Sequence, residues 1–541
     1  MKGLLQIGPR YVKQDADGLR PFQRQALEAI KNSEARLIFI EAPVGSGKSH
    51  IIRRLFEEDH LANKAIVLTY PTRILMRAQL ESLQMEYSKL AIWPPLETST
   101  WDGKCPFSND TVNIVHYSTS SLVELLRKQG ADLNLDRGRL LRKAFDTQDW
   151  SSPRKGLVTS PDVLHLMINR EVYDKSDRLQ QYLHGGLFVF DEFHLYYQLQ
   201  HFAELVELIL RRLNGKVVML SATPIRNSDL NAIRNAYSGE IFDVLFSESL
   251  GNSNDICFNY PLEVRIEQFD YTGAKNLSET IGRLETLICE LPKPLAVIFD
   301  SIFRLKHVRR ALERKLGGTY DFQEWSGLEK SGGLTKLNDR TVVLGTSAIE
   351  IGIDLAFRSL IMEASYWTSA VQRLGRVGRK IPGNVVILTR RDFTPFVGDC
   401  TEFDRTDFEQ RVFQGALKQP EDAMVAGELF RGNSFPFLVV DADTKQSSVY
   451  DEGIFAMFEI IDRENEWRIL SVVEKRKRLI EFGVAEQYAD EILLRDRLVP
   501  FWGVVLGRLR QRYSRVTTRW LKDIHELYVF SDNDEFVFYG E

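Results

Sequence analysis

The sequence predicts an α/β protein with two tandem parallel-sheet domains and a C-terminal α-rich accessory domain. Three observations carry that reading. Short, continuous apolar runs alternate with stretches of helical spacing from Arg20 to about Asn235, the pattern of strands covered on both faces of a parallel sheet. A second series of the same kind spans residues 263–395. From about Arg391 the pattern gives way to acidic loops and amphipathic stretches that carry no recognisable motif.

In the first series, strands are expected at Arg36–Ile40, Ala65–Thr69, Asn113–Tyr117, Leu187–Phe190 and Val217–Leu220. Residues 1–20 read as a lead-in to this domain, which spans 1–235. Residues 95–155 are longer and more polar than an α/β connection needs, and read as an insertion. Ser238-Gly239 and Gly251-Asn252-Ser253-Asn254 mark 236–262 as a linker. In the second series, strands are expected at Leu295–Phe299, Thr341–Leu344, Ser359–Met362 and Asn384–Leu388. Residues 396–541 form the accessory domain.

A length of 541 residues fits about three domains, and 44% hydrophobic residues suffice for ordinary cores. A net charge of −5 gives no global basic surface, so any nucleic-acid surface is local. Cys105, Cys257, Cys289 and Cys400 are far apart and form no CxxC pair, which argues against a zinc site or a disulfide framework and fits a reducing compartment. The start is too short in its apolar part for a signal peptide, and no apolar run reaches the roughly 18 residues of a membrane span. A soluble cytoplasmic protein with no membrane partner is expected.

The motif with the most chemistry is Ala42-Pro43-Val44-Gly45-Ser46-Gly47-Lys48-Ser49. It follows the apolar run Leu37-Ile38-Phe39-Ile40 and precedes a helical pattern, the strand–loop–helix context of a phosphate-binding loop. Small residues let backbone N–H groups close around phosphate oxygens, and the helix N-terminus adds its dipole. Lys48 would reach the β- and γ-phosphates of ATP, and the Ser49 hydroxyl would hold Mg²⁺.

Asp191-Glu192-Phe193-His194 follows the strand run ending at Phe190. Acidic groups at a strand's C-terminal end reach a nucleotide at the switch point of an open sheet. Asp191 would hold Mg²⁺, and Glu192 would orient or deprotonate the attacking water. Ser221-Ala222-Thr223 offers small hydroxyls at the end of the last strand.

In the second domain, Gln372-Arg373-Leu374-Gly375-Arg376-Val377-Gly378-Arg379 sets Gln372 toward the nucleotide and places Arg376 and Arg379 three apart. On a helix both arginines would share a face and act as fingers on transition-state charge. In Gly345–Asp354, Gly352 and Asp354 would sit near the nucleotide and Thr346 at a nucleic-acid backbone. Upstream, Gln23 would frame the adenine. Tyr70-Pro71-Thr72-Arg73 and Thr159-Ser160-Pro161-Asp162 put Thr72, Arg73 and Ser160 at strand ends, suited to gripping phosphates without reading bases. Near the C-terminus, Arg508, Arg510, Arg512, Arg515, Arg519 and Lys522, interleaved with Tyr513 and Trp520, read as a nucleic-acid surface or as the basic face of an amphipathic helix.

In this order, over about residues 20–395, the motifs resemble a superfamily 2 helicase with two RecA-like domains. The Asp191–His194, Gly345–Asp354 and Gln372–Arg379 segments are most similar to CRISPR-associated helicases of type I interference systems, and Asp191–Tyr196 resembles the type I-D, cyanobacterial-type branch. That resemblance implies ATP and Mg²⁺ as cofactors, 3′→5′ travel on single-stranded DNA, and a CRISPR effector complex as partner. Many such helicases carry an N-terminal HD nuclease. Here the phosphate loop lies within the first fifty residues and no His-Asp dipeptide occurs among nine histidines. A separate HD-type nuclease subunit is therefore expected, which suits the type I-D branch. The alternatives are an RNA or DNA-repair helicase of the same superfamily, and a nucleotide-gated nucleic-acid binding module.

Overall fold

The computed structural model describes residues 4–96, 106–117, 154–168, 178–193, 205–206, 208–222, 239–269, 271, 276–300, 302–325, 337–346, 349 and 357–417, with five strand segments beyond. Two compact units result, Met1–Leu417 and Lys418–Glu541.

The first unit opens with two short strands, β1 (Leu4–Ile7) and β2 (Arg10–Val12). Eight parallel strands follow as one sheet: β3 (Leu37–Glu41), β4 (Ala65–Thr69), β5 (Leu90–Trp93), β6 (Val112–His116), β7 (Lys155–Thr159), β8 (Leu187–Asp191), β9 (Lys216–Ser221) and β10 (Ile241–Leu245). Their order is β10-β3-β9-β8-β4-β7-β6-β5. On β3, Leu37 and Phe39 enter one core, and Ile38 and Ile40 the other. Side chains alternate between faces, so a strand covered on both sides must be apolar throughout. Helix α1 (Pro21–Asn32) begins with Pro at its first position, where no N–H is needed. Helices α2 (Lys48–Leu55), α3 (Arg73–Glu86) and α4 (Pro161–Ile168) start at the C-terminal ends of β3, β4 and β7.

The second sheet holds β12 (Leu262–Gln268), β13 (Leu295–Ile298), β14 (Asp321–Trp325), β15 (Thr341–Gly345), β16 (Ser359–Glu363), β17 (Gly383–Thr389) and β18 (Glu402–Phe403), with β11 (Ile256–Asn259) just ahead of it. The order is β14-β15-β13-β16-β17-β12-β1-β18. Helices α5 (Leu277–Glu290), α6 (Ile302–Leu316) and α7 (Trp367–Leu374) belong to this half. Its core is again two-faced, with Leu295 and Val297 on one side of β13 and Ala296 and Ile298 on the other. These are two tandem RecA-like α/β domains.

Several boundaries differ from the sequence reading. The lead-in is divided: β1 pairs antiparallel with β12 and lies beside β18 in the second sheet, while Val12 and Leu19 pack into a core of the first. Leu5 and Ile7 are buried there, a pattern too short to read as a strand. The linker window contains β10, the edge strand beside β3. Within the insertion window, β6 is a full member of the first sheet. The antiparallel pair of β2 and β11 makes the connection between the sheets a two-stranded ribbon. Phe403, Phe408, Val412, Phe413 and Leu417 complete the second core, so that domain runs past residue 395 and the unit ends at Leu417.

Residues 405–416 are helical. In the second unit, β19 (Phe437–Val440) and β20 (Ser447–Tyr450) form a hairpin-like pair. Strands β21 (Arg515–Trp520), β22 (His525–Phe530) and β23 (Phe536–Tyr539) form an antiparallel sheet. The remaining residues of the second unit lie outside the described ones, Arg508, Arg510, Arg512, Tyr513 and Lys522 among them. Arg515, Arg519 and Trp520 sit on a strand, so an amphipathic helix does not run through them. Among the described residues, no helix is long and apolar enough to cross a membrane.

Candidate nucleotide site

The loop between β3 and α2 turns through two left-handed glycines, Gly45 at φ +84° and Gly47 at φ +92°. Gly47 is required twice over. Its φ is strained for any L side chain, and a Cβ there would stand 2.8 Å from Gln23 Nε2. Gln23 donates from that nitrogen to Gly47 O at 2.8 Å, and its Oε1 accepts from the Arg20 N–H at 2.9 Å. The second bond is the reaching-back half of a capping box. Gln23 thus braces the loop from α1. Arg20 donates to the carbonyls of Ser46 and Gly45 and stands over the Phe258 ring. Nothing in the local sequence around Arg20 signals that role.

Lys48 is buried, and its ammonium donates to Ala42 O at 2.8 Å and Pro43 O at 3.4 Å. Burial lowers its pKa from the ordinary value. The charges of Glu192 and Asp191 pull it back up, and those of Arg376 and Arg379 push it down further. The Asp191 carboxyl is raised to about 7, chiefly by burial and then by Glu192, with Lys48 opposing. Glu192 sits at φ +52°, in the left-handed region. A non-glycine residue held there costs about 1–3 kcal/mol, a strain that clusters at functional sites. Its N–H donates to Asp191 Oδ1 at 3.0 Å. Ala42 N–H donates to Ser221 O at 3.0 Å, tying the start of the loop to the end of β9. The Ser49 hydroxyl accepts from Gln79 Nε2 at 3.3 Å, a partner on α3 that sequence spacing does not reveal.

The second sheet contributes the loop after α7. Arg376 is buried and Arg379 half-buried. Arg379 Nε donates to Gly375 O at 2.8 Å. Gln372 is buried on α7. Next to it, Arg373 pairs with Asp300 at 2.7 Å and donates to the Glu363 carbonyl. Burial alone would raise the Asp300 carboxyl, but the Arg373 guanidinium, the Ser365 hydroxyl and Arg304 together outweigh it and hold the group at about 2. Arg304 clamps the Glu363 carboxylate with bonds of 2.8 and 2.7 Å. This ion-pair network fixes α7 to the ends of β13 and β16.

The structure therefore brings together Lys48, Asp191, Glu192, Arg376 and Arg379, with Gln23 bracing the loop behind them. Thr72 and Ser160 lie at the ends of the paired strands β4 and β7, where Tyr70 N–H donates to Thr159 O at 3.1 Å. Both hydroxyls work locally. Thr72 Oγ1 accepts from Leu75 N–H at 3.2 Å, and Ser160 Oγ from Val163 N–H at 3.4 Å, as helix N-caps. Arg73 begins α3. Thr346 follows β15, is 2% exposed, and its N–H donates to Trp325 O at 3.1 Å. Gly352 and Asp354 lie outside the described residues.

A DEAD/DEAH box helicase model matches residues 20–129 and 146–230. A model of the C-terminal part of the CRISPR-associated nuclease/helicase Cas3 matches residues 275–381. No curated protein matches the chain. Among solved structures, the DUF1998 helicase MrfA bound to DNA is 16% identical, with 86% of this chain and 65% of that one covered, at a TM-score of 0.47. The DExH-box NTPase HrpB of E. coli is 16% identical, with 96% and 64% covered and a TM-score of 0.43. Dbp5 of S. cerevisiae bound to RNA and ADP BeF3 is 14% identical, with 74% and 98% covered and a TM-score of 0.42. The chain spans 65% of the length of the MrfA structure and 64% of the HrpB one. The DEAD/DEAH box helicase match thus lies on the first sheet and the Cas3-like match on the second, so the two sheets are similar to the two halves of a superfamily 2 helicase module.

Proposed function

We propose that this chain is an ATP-driven motor on single-stranded DNA, unwinding target DNA in a type I CRISPR interference system of the I-D kind. The observation that carries the proposal is the meeting of charges at Lys48: Asp191 and Glu192 from the first sheet, Arg376 and Arg379 from the second. A site assembled from two domains is what ties hydrolysis to domain movement.

The residues present fit a nucleotide with its metal. Among the described residues, the buried Ser46 hydroxyl has no hydrogen-bond partner, and the hydrogen bonds of the Lys48 ammonium go to loop carbonyls. The raised Asp191 carboxyl would gain from a cation beside it. Bound ATP supplies the γ-phosphoryl group that is transferred to water. Lys48 would leave the Ala42 and Pro43 carbonyls for the β/γ-phosphates. Ser49 and Asp191 would hold Mg²⁺, and Glu192 would orient the attacking water and take its proton. Arg376 and Arg379 would stabilise charge developing on the transferred group. Gln372, Gly352 and Asp354 belong to the same nucleotide side in this reading.

Thr72, Arg73 and Ser160 at the strand ends suit contacts to the nucleic-acid backbone, which bind without reading sequence. The Cas3-like match supports the CRISPR setting. A nuclease carried by another, HD-type subunit of the effector assembly belongs to the same reading. A cytoplasmic location follows from the same setting.

The test is ATP hydrolysis by the purified chain with single-stranded DNA, with single-stranded RNA and with neither. Stimulation by DNA, abolished in Lys48→Ala, is the expected result. Stimulation by RNA alone would point to an RNA helicase. Slow turnover indifferent to either polymer would point to a nucleotide-gated binding module. Metal-dependent cutting of labelled DNA that survives Lys48→Ala would overturn the assignment of the nuclease to another subunit.

A further inference from the structure

We infer that Arg405 is a positioning residue for the loop Gly375–Arg379, acting through the carbonyl of Leu374. The inference rests on the reading of Arg376 and Arg379 as groups that act on the nucleotide.

Helix α7 ends at Leu374, and the last carbonyls of a helix need partners from outside it. Leu374 O accepts from Arg405 Nη2 at 2.9 Å and from the Val377 N–H at a long 3.4 Å. A cation at a helix C-terminus also meets the negative end of the dipole. One residue further on, Gly375 O accepts from Arg379 Nε at 2.8 Å. A shift of the Leu374 carbonyl is thus handed directly to the peptide that anchors Arg379.

Arg405 is itself fixed from the far side. It is 1% exposed and pairs with Glu409 Oε1 at 3.2 Å. The other oxygen of Glu409 accepts from Arg10 Nη2 at 2.8 Å, and Arg10 also donates to Thr406 Oγ1 at 2.9 Å. Arg10 lies on β2, one strand of the ribbon that joins the two sheets. The contacts run from ribbon to loop as Arg10, Glu409, Arg405, Leu374.

The arrangement is an expensive way to fill space. Burial lowers the Arg405 guanidinium to about 10; Glu409 opposes this, while the nearby charges of Arg10 and Arg379 add to it. Its Nη1 is buried without a hydrogen-bond partner among the described residues. Apolar side chains of similar volume often replace a buried ion pair without loss of stability. What such side chains lack is a donor for Leu374 O.

The test is hydrogen exchange on the full-length chain together with steady-state ATP hydrolysis. Arg405→Met should speed exchange about tenfold in peptides covering 374–380, the effect of losing one charged hydrogen bond, and leave β3 and α2 unchanged. In the same variant kcat should fall while KM for ATP stays within about twofold. Arg405→Lys keeps a cation able to reach Leu374 O and should recover part of both effects. Should Arg405→Met fail to fold, Glu409→Gln loosens the anchor while retaining Arg405, and should give the same pattern more weakly. Unchanged exchange at 374–380 would overturn the inference. So would faster exchange spread evenly over the second sheet, or no recovery in Arg405→Lys. A parent chain that hydrolyses no ATP would sink the proposed function instead, and the exchange pattern would still decide the role of Arg405.

Discussion

Val44 of the phosphate loop packs directly on Gly375 of the arginine loop: a methyl group on Gly375 would stand 2.6 Å from Val44 Cγ1 and 2.7 Å from its Cβ. The backbone of Gly375 is ordinary, at φ −68°, so space and not conformation calls for glycine. The end of the connecting ribbon closes the same cluster. Asn259 Nδ2 donates to Val44 O at 3.4 Å, and Tyr260 N–H to Gly378 O at 2.6 Å. Residues from both sheets and from their connection thus meet within one residue of the groups that would act on ATP.

That contact gives the first prediction. Gly375→Ala will push the two loops apart and lower kcat by up to about 10²-fold, the scale of a misplacement near 1 Å. It will cost the fold about 1–3 kcal/mol of overpacking. Trimming the opposing side chain in the double variant Val44→Ala/Gly375→Ala will restore most of the turnover. Steady-state kinetics of the four proteins decides the matter, and a double variant no better than Gly375→Ala would show that the contact is not the cause.

The Asp191 carboxyl gives a prediction about pH. Its value of about 7 lies above the ordinary 3.8 because burial and then Glu192 disfavour the charge. The folded chain therefore holds this proton more tightly than the unfolded one. The associated stability is complete below about pH 4 and is lost as the pH rises through 7. Asp191→Asn, which carries no charge, will unfold at a higher temperature than the parent at about pH 8, and the gap will close toward pH 4. Thermal unfolding across that range is the measurement, and a gap that widens on acidification would contradict it.

The strand-end hydroxyls give a third. Thr72 Oγ1 satisfies the Leu75 N–H, so Thr72→Ala will lower the unfolding free energy by about 1 kcal/mol and Thr72→Ser will restore most of it. Single-stranded DNA binding will weaken equally for every sequence, and binding by the parent will fall steeply with salt. Denaturant titrations with oligonucleotide binding at fixed salt check both parts. A loss confined to particular sequences would mean that Thr72 reads bases.

The sheets were legible in the sequence wherever strands are covered on both faces. Ala65–Leu68 and Leu187–Phe190 are continuous apolar runs for that reason. The turn from Ala42 to Ser49 was legible because glycine is the residue that tolerates φ +84° and +92°. Strands β1 and β18 were not, since four and two residues carry too little periodicity. β10 was missed because its sheet-edge position leaves three of its five residues half-buried or exposed before Val244. Arg20, Asn259 and Arg405 find their partners at sequence separations of 25, 215 and 31 residues, which no local pattern encodes.

In the proposed function the two sheets build one hydrolytic site, with Lys48 on one side and Arg376 on the other. Single-turnover ATP hydrolysis by the parent and by Arg376→Ala with saturating single-stranded DNA, beside the nucleotide dissociation constant of each, tests this. A rate lower by about 10³–10⁵ is expected in Arg376→Ala, the range of an arginine finger, with the dissociation constant nearly unchanged. A normal rate at saturation with a collapsed affinity would contradict it, because Arg376 would then bind the nucleotide without acting on its hydrolysis.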